Sequence, residues 1–141
     1  MAPFKIQQLD HIVLRVIDLA RSEAFYCDVL GCEVAKRRDD LGMIHLRTGA
    51  SMVDLIDVNG PLGQGKPPVN GGPNIDHFCL RITPFDEAAI RHHLQRHGIH
   101  GMAPAEERYG AEGTGPSLYF FDPDGNQIEL KGPSHKSLGE A

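Results

Sequence analysis

Cysteine is scarce in this chain of 141 residues: Cys27, Cys32 and Cys79 are an odd number, without the close pairing that structural zinc sites use. A disulfide framework is not expected, and the three thiols read as reduced. No apolar run approaches the roughly 20 residues a spanning helix needs, and the N-terminus lacks the long apolar core of a signal peptide. A cytoplasmic protein with no membrane partner is the expectation. Basic charge is not in excess either. Fourteen Lys and Arg stand against nineteen Asp and Glu, and the net charge of −5 argues against general affinity for nucleic acid or anionic lipid. What remains is an ordinary globular composition, 40% hydrophobic and 23% charged, long enough for one domain with a real core.

The chain repeats itself. Leu9-Asp10-His11-Ile12-Val13-Leu14-Arg15-Val16 returns as Ile75-Asp76-His77-Phe78-Cys79-Leu80-Arg81-Ile82, with the two histidines 66 residues apart. Each copy precedes a helix-like stretch, and each half closes on an apolar run carrying an acid, Val53-Asp54-Leu55 and Ile128-Glu129-Leu130.

Residues 9–17 read as a strand, in which His11, Val13 and Arg15 share one face and Ile12, Leu14 and Val16 the other. The second face suits packing against a helix. Asp18 is a candidate N-cap for a helix over 19–30, with Leu19, Phe25, Tyr26 and Leu30 in its apolar stripe and Gly31 as its stop. Strands follow at about 33–37, 43–48 and 52–58. Five Gly and four Pro within 59–73 mark a linker between the halves. The order then repeats: a strand at 75–83, a helix at about 86–97 closed by Gly98, and strands near 99–103, 116–121 and 127–131. Asp122-Pro123-Asp124-Gly125-Asn126 is a strong turn signal. The second half carries its acid later than the first, and the extra residues fall in Pro104–Gly115, expected to be a loop covering a pocket. The division is thus one domain of two modules, about 8–58 and 74–132, with a polar tail at 133–141 that frays or contacts a partner.

Paired modules, openings of Asp-His followed by apolar residues, and the ending Tyr119-Phe-Phe-Asp-Pro-Asp-Gly-Asn-Gln-Ile-Glu129 resemble the vicinal oxygen chelate superfamily. Glyoxalase I, extradiol dioxygenases, fosfomycin-resistance enzymes and bleomycin-binding proteins belong to it. The resemblance spans roughly residues 8–132. It implies an α+β fold of two paired βαβββ modules, forming an open curved mixed sheet around a metal cleft. It also implies a homodimer, with each site formed within one subunit or across two.

By the same resemblance, His11, His77 and Glu129 hold a divalent metal ion (Ni, Zn, Mn or Fe). Two imidazoles and a carboxylate are independently what a first-row metal takes when positions must stay open for substrate and water. Equivalent positions in a paired repeat would bring the histidines together. A carboxylate between Ile128 and Leu130 is costly to desolvate unless a cation meets it. Asp54, the first-half counterpart of Glu129, reads as a fourth ligand, a supporting group or an exposed strand residue. Asp10 and Asp76 are expected to face away from the imidazoles. Tyr119 lies on the strand beside Glu129, where family members place a tyrosine against substrate, and Ser117 shares its face. Arg15, four residues after His11, matches an arginine that binds the anionic end of glutathione in bacterial glyoxalase I. His45 reads as an acid or base, or as an exposed strand residue. His92, His93, His97 and His100 lie in a solvated stretch and are left out of the site.

The resemblance implies an enzyme acting on a small oxygen-chelating substrate. Proton transfer of the lactoylglutathione lyase type is the first expectation, although Asp54 stands where glyoxalase I has Glu and Val58 where its pattern puts Asn. A ring-cleaving dioxygenase is the alternative. Leu118-Tyr119-x-x-Asp122-Pro123-x-Gly125-x-x-x-Glu129 matches the tail of that motif, but its upstream histidine is missing from Gly110-Ala111-Glu112-Gly113. A fosfomycin-modifying enzyme shares the Ser-x-Tyr strand without evident basic residues in the tail. A non-catalytic drug-binding protein of the bleomycin-resistance type would lack the ligands that this chain retains.

Overall fold

The computed structural model describes residues 6–65, 75 and 77–135. The chain divides into two compact units, Met1–Gly72 and Pro73–Ala141.

In the first, β1 (His11–Val16) leads into α1 (Leu19–Ala24) and then into β2 (Glu33–Arg38), β3 (Met43–Thr48) and β4 (Ser51–Asp57). The sheet order is β1-β4-β3-β2, with β1 parallel to β4 and the remaining pairs antiparallel. Alternation sorts the side chains as the sequence requires. Leu14 pairs with Leu55, which pairs with Ile44, and Leu46 pairs with Val53. These residues and Val16 are buried on one face, each burial contributing on the order of 1.5–3 kcal/mol. The helix supplies Tyr26, which is fully buried. On the opposite face lie His11, Val13 and Arg15 of β1, Asp54 of β4 and His45 of β3.

Asp18 caps α1 by accepting the Arg21 backbone N–H at 3.0 Å. The expected helix over 19–30 is not uniform. From Phe25 to Val29 it widens into a π-helical segment that buries Tyr26 and Val29, with the Phe25 ring edge-on to Tyr26 at 5.3 Å. Gly31, at φ +74°, ends it in the left-handed conformation that favours glycine.

The second unit repeats the plan: β5 (His77–Arg81), α2 (Glu87–Arg96), β6 (Glu106–Gly110), β7 (Gly113–Phe121) and β8 (Gln127–Lys131), in sheet order β5-β8-β7-β6. Its core is Leu118, Phe120, Ile128 and Leu130 of the sheet with Leu94 of α2. Asp86 caps α2 through the Ala89 N–H at 3.1 Å. The α+β fold of two βαβββ modules with four-stranded mixed sheets is therefore as expected.

Two expectations fail in this unit. Residues 99–105 form no strand, and 104–115 is not a loop but the β6–β7 hairpin. Regular ladder pairing runs from Glu106 opposite Ser117 to Gly110 opposite Gly113. Glycine density and paired glutamates mimic a loop in sequence, yet on an edge strand charge is tolerated because one side faces solvent. The Asp76 end of the expected strand, most of the second half of the linker and the tail beyond His135 lie outside the described residues.

Candidate metal centre

The second unit assembles its polar face around Glu129. The β7–β8 connection sets the register. Asp122 Oδ1 accepts the backbone N–H groups of Asp124 and Asn126 at 2.9 and 2.8 Å, and its Oδ2 accepts the Asn126 side-chain amide at 2.8 Å. That buried turn fixes Tyr119 opposite Glu129 and Ser117 opposite Lys131. On the other side, β5 places Cys79 opposite Glu129.

Glu129 is 6% exposed. Ser117 Oγ donates to its Oε2 at 2.6 Å, and His77 Nε2 lies 3.5 Å from its Oε1. One oxygen is anchored and the other faces an imidazole at a distance too long for a good hydrogen bond. The ring of His77 meets Tyr119 edge-on at 6.1 Å, and the Arg108 guanidinium stacks over Tyr119 at 5.8 Å. Burial, with the Glu129 charge second, raises the Tyr119 phenol above its ordinary range. Packing around sulfur, and again Glu129, push the Cys79 thiol up to about 11, so it is protonated at neutral pH.

In the first unit, His45 Nδ1 lies 3.0 Å from Asp54 Oδ1, on neighbouring strands in register. The approach is off the hydrogen-bond axis, so Asp54 Oδ1 is a buried oxygen without a hydrogen-bond partner. Asp54 is 4% exposed, which removes the reading as an exposed strand residue. His45 is half-buried rather than exposed. His11 is exposed, and its Nδ1 meets Asp10 Oδ1 at 2.8 Å. That hydrogen bond, opposed by desolvation and reinforced by the Asp54 charge, raises the His11 pKa. The expectation that Asp10 faces away is overturned. Asp10 precedes the first residue of β1, so strand alternation does not govern it. Arg15 Nη1 donates to the Gly63 carbonyl at 3.0 Å, in the turn after β4.

Among the described residues, no three His, Cys, Asp or Glu side chains form a group that holds an ion by itself. The donor chemistry within each unit is of the kind a divalent ion takes. In the second, Glu129 Oε1 and His77 Nε2 are adjacent, and in the first, Asp54 has a desolvated oxygen that no hydrogen bond satisfies. Ser117 on Glu129 and Asp10 on His11 are the kind of supporting partner that orients metal ligands.

Sequence reasoning missed Lys131. Only 5% exposed, it shares the face of Glu129 two residues away, and its Nζ donates to the backbone carbonyls of Arg108 and Gly115. Strand alternation from Glu129 would have found it. A cavity of about 320 Å³ opens beside Glu129, lined by His77, Cys79, Arg81, Lys131 and the residues of the β6–β7 turn.

The profile of the Glyoxalase/Bleomycin resistance protein/Dioxygenase superfamily matches residues 8–130, and the chain belongs to that superfamily. It is 28% identical over 130 residues to an ethylmalonyl-CoA/methylmalonyl-CoA epimerase of Cereibacter sphaeroides, covering 86% of this chain and 92% of the relative. A catechol-2,3-dioxygenase of Bacillus subtilis is 32% identical over 117 residues, covering 83% of this chain but 38% of that protein. Among solved structures, an integron cassette protein from the mobile metagenome of V. cholerae superposes with a TM-score of 0.76 at 30% identity, covering 93% of this chain and 98% of the other.

Proposed function

We propose that this protein is a divalent-metal-dependent enzyme that moves a proton at a carbon beside a carbonyl of a small oxygen-chelating substrate. His11, His77 and Glu129 would hold the metal, which supplies a Lewis acid for the oxygen on which negative charge develops. The observation that carries this reading is Glu129: a nearly buried carboxylate with one oxygen pinned by Ser117 and the other turned toward His77.

This chain's own residues divide the remaining work. Asp54 Oδ1, desolvated and lacking a hydrogen bond, is the acceptor for the substrate's carbon-bound proton, and His45 lies 3.0 Å from it. Tyr119 stays protonated because its pKa is raised, so its phenol donates to the substrate oxygen. Arg108, stacked on that ring, keeps it oriented. Arg15 and Ser117 border the substrate's place on their respective sheets. Epimerisation, named for the Cereibacter relative, inverts a stereocentre and needs a proton removed and returned, which favours this class.

Ring cleavage is the second reading. The His77–Tyr119 contact and the Bacillus relative support it, but residues 110–113 supply no histidine.

The test is elemental analysis of protein purified without added metal, then the same for His11→Ala, His77→Ala and Glu129→Ala. Each variant is expected to lose most of its metal while keeping its circular dichroism. Normal metal content in all three overturns the ligand set. Assays with methylglyoxal plus glutathione, a 2-substituted malonyl thioester, and catechols under oxygen then separate the reactions. Fosfomycin joins the panel for the modifying-enzyme reading, and tight drug binding without turnover would identify a binding protein. A homodimer completes the proposal, read out by light scattering.

A further inference from the structure

The β6–β7 turn is tied across the cavity beside Glu129 by one contact that the proposed chemistry does not use. Arg81 Nε meets Glu112 Oε1 at 2.6 Å, joining the end of β5 to the turn between β6 and β7. Both residues line the cavity. Arg81 pairs with Lys131, two residues along the ladder from the Cys79–Glu129 pair, which is roughly 7 Å along the strand. We propose that this cavity contains an anion subsite, in which Arg81 receives a carboxylate or phosphate group of the substrate and Glu112 holds that place in its absence. The assignment rests on the proposed function in taking the cavity beside Glu129 as the substrate chamber.

Four observations support it. A guanidinium presents a planar fork suited to two oxygens of one anion, and here it already grips a carboxylate. The grip is exchangeable, since the two side chains are 40% and 58% exposed, and pairs so open to water contribute little to stability. Arg81 is also steadied by donating through Nη1 to the Ile82 carbonyl, which keeps its head at the cavity when Glu112 leaves. Finally, both partners of the pair line the cavity that opens beside Glu129. Lys131 is not the receiving residue, because its ammonium is engaged by the Arg108 and Gly115 carbonyls. A volume of about 320 Å³, at the small end of ligand pockets, has room for a small acid.

The anion competes with Glu112, so removing that carboxylate's charge tightens binding. Calorimetric titration of malonate and, separately, of inorganic phosphate would compare the purified wild-type protein with Glu112→Gln and Arg81→Gln. Glu112→Gln is expected to bind one of the two anions about threefold more tightly than wild type, the size of effect an exposed ion pair allows. Arg81→Gln is expected to show no saturable binding. Preference for malonate assigns a carboxylate, and preference for phosphate assigns a phosphoryl group. Equal affinities in wild type and Glu112→Gln, or undiminished binding by Arg81→Gln, overturn the subsite. Metal content of the same three samples is expected to be equal, which separates the subsite from the metal centre. Loss of metal from Arg81→Gln would also overturn it.

Discussion

Ser117 Oγ donates to Glu129 Oε2 at 2.6 Å across neighbouring strands, both side chains almost wholly buried. In the proposed metal centre, the contact leaves Oε1 as the oxygen of the carboxylate for a cation. In Ser117→Ala the carboxylate loses its anchor, and the freed Oε2 competes with Oε1 for any partner. Metal affinity is expected to fall by about tenfold or more, the usual consequence of deleting a group that orients a ligand. Metal titration with a fluorescent competitor measures it, and an unchanged affinity would sink the role. Alanine takes no more space than serine, so circular dichroism is expected to show the fold kept, at a stability cost of about 1–3 kcal/mol for the oxygen left without its donor.

Asp54 carries a buried carboxylate oxygen at a cost to the first unit. Its Oδ1 is buried and makes no hydrogen bond, a cost of about 1–3 kcal/mol for a polar group and more for a charge. Asp54→Asn removes the charge at constant shape. In chelator-treated protein it is expected to raise stability by about 1 kcal/mol, which is a few degrees in Tm for a domain of this size. It should also lose the proton-transfer activity proposed above. A lower Tm for the chelated variant would mean that the His45 contact outweighs the burial cost.

Strand periodicity and the 66-residue repeat made most of both sheets legible, because alternating apolar residues have one satisfactory orientation when a single face is buried. His11, His77 and Glu129 stood out by position in that repeat. What the sequence hid was of two kinds. The β6–β7 hairpin hid because Glu106, Glu107 and Arg108 lie on an exposed edge strand, where no apolar alternation is imposed. The π-helical segment at Phe25–Val29 hid because nothing in its composition distinguishes it from an α-helix. Lys131 was visible in principle, but its role depends on carbonyls of Arg108 and Gly115, brought close by strand pairing rather than by sequence.

Glu87 ties α2 to the chain entering β6. Its Oε2 accepts the Ala105 backbone N–H at 3.1 Å and the Arg91 Nε at 2.9 Å, and Arg91 in turn donates to the carbonyls of Met102 and Ala103. The Ala105 N–H first, and Arg91 second, hold the Glu87 carboxyl below its ordinary value of 4.5. A depressed carboxyl stabilises the fold above its unfolded-state value and loses that contribution as pH falls through the folded-state value. The Tm gap between wild type and Glu87→Gln is therefore expected to be full at neutral pH, to persist down to about pH 4.5 and to close below it. A gap independent of pH would show that the amide makes the same contacts and that charge is irrelevant.

Gly110 ends β6 directly over the buried Lys131 stem. A Cβ added there would stand 2.7 Å from Lys131 Cε and 3.1 Å from its Cδ. A free lysine would swing aside, but this one is held at its tip by the Arg108 and Gly115 carbonyls. Relieving the clash therefore means either breaking those hydrogen bonds or lifting the turn that carries Glu112. Gly110→Ala is expected to lose about 1–3 kcal/mol of stability, the range for overpacking a closed site. Urea unfolding measures the loss. The double variant Gly110→Ala with Lys131→Ala tests its origin: with the stem removed, the alanine should cost less than half as much. If the alanine is as costly without the lysine as with it, the clash is not what Gly110 avoids.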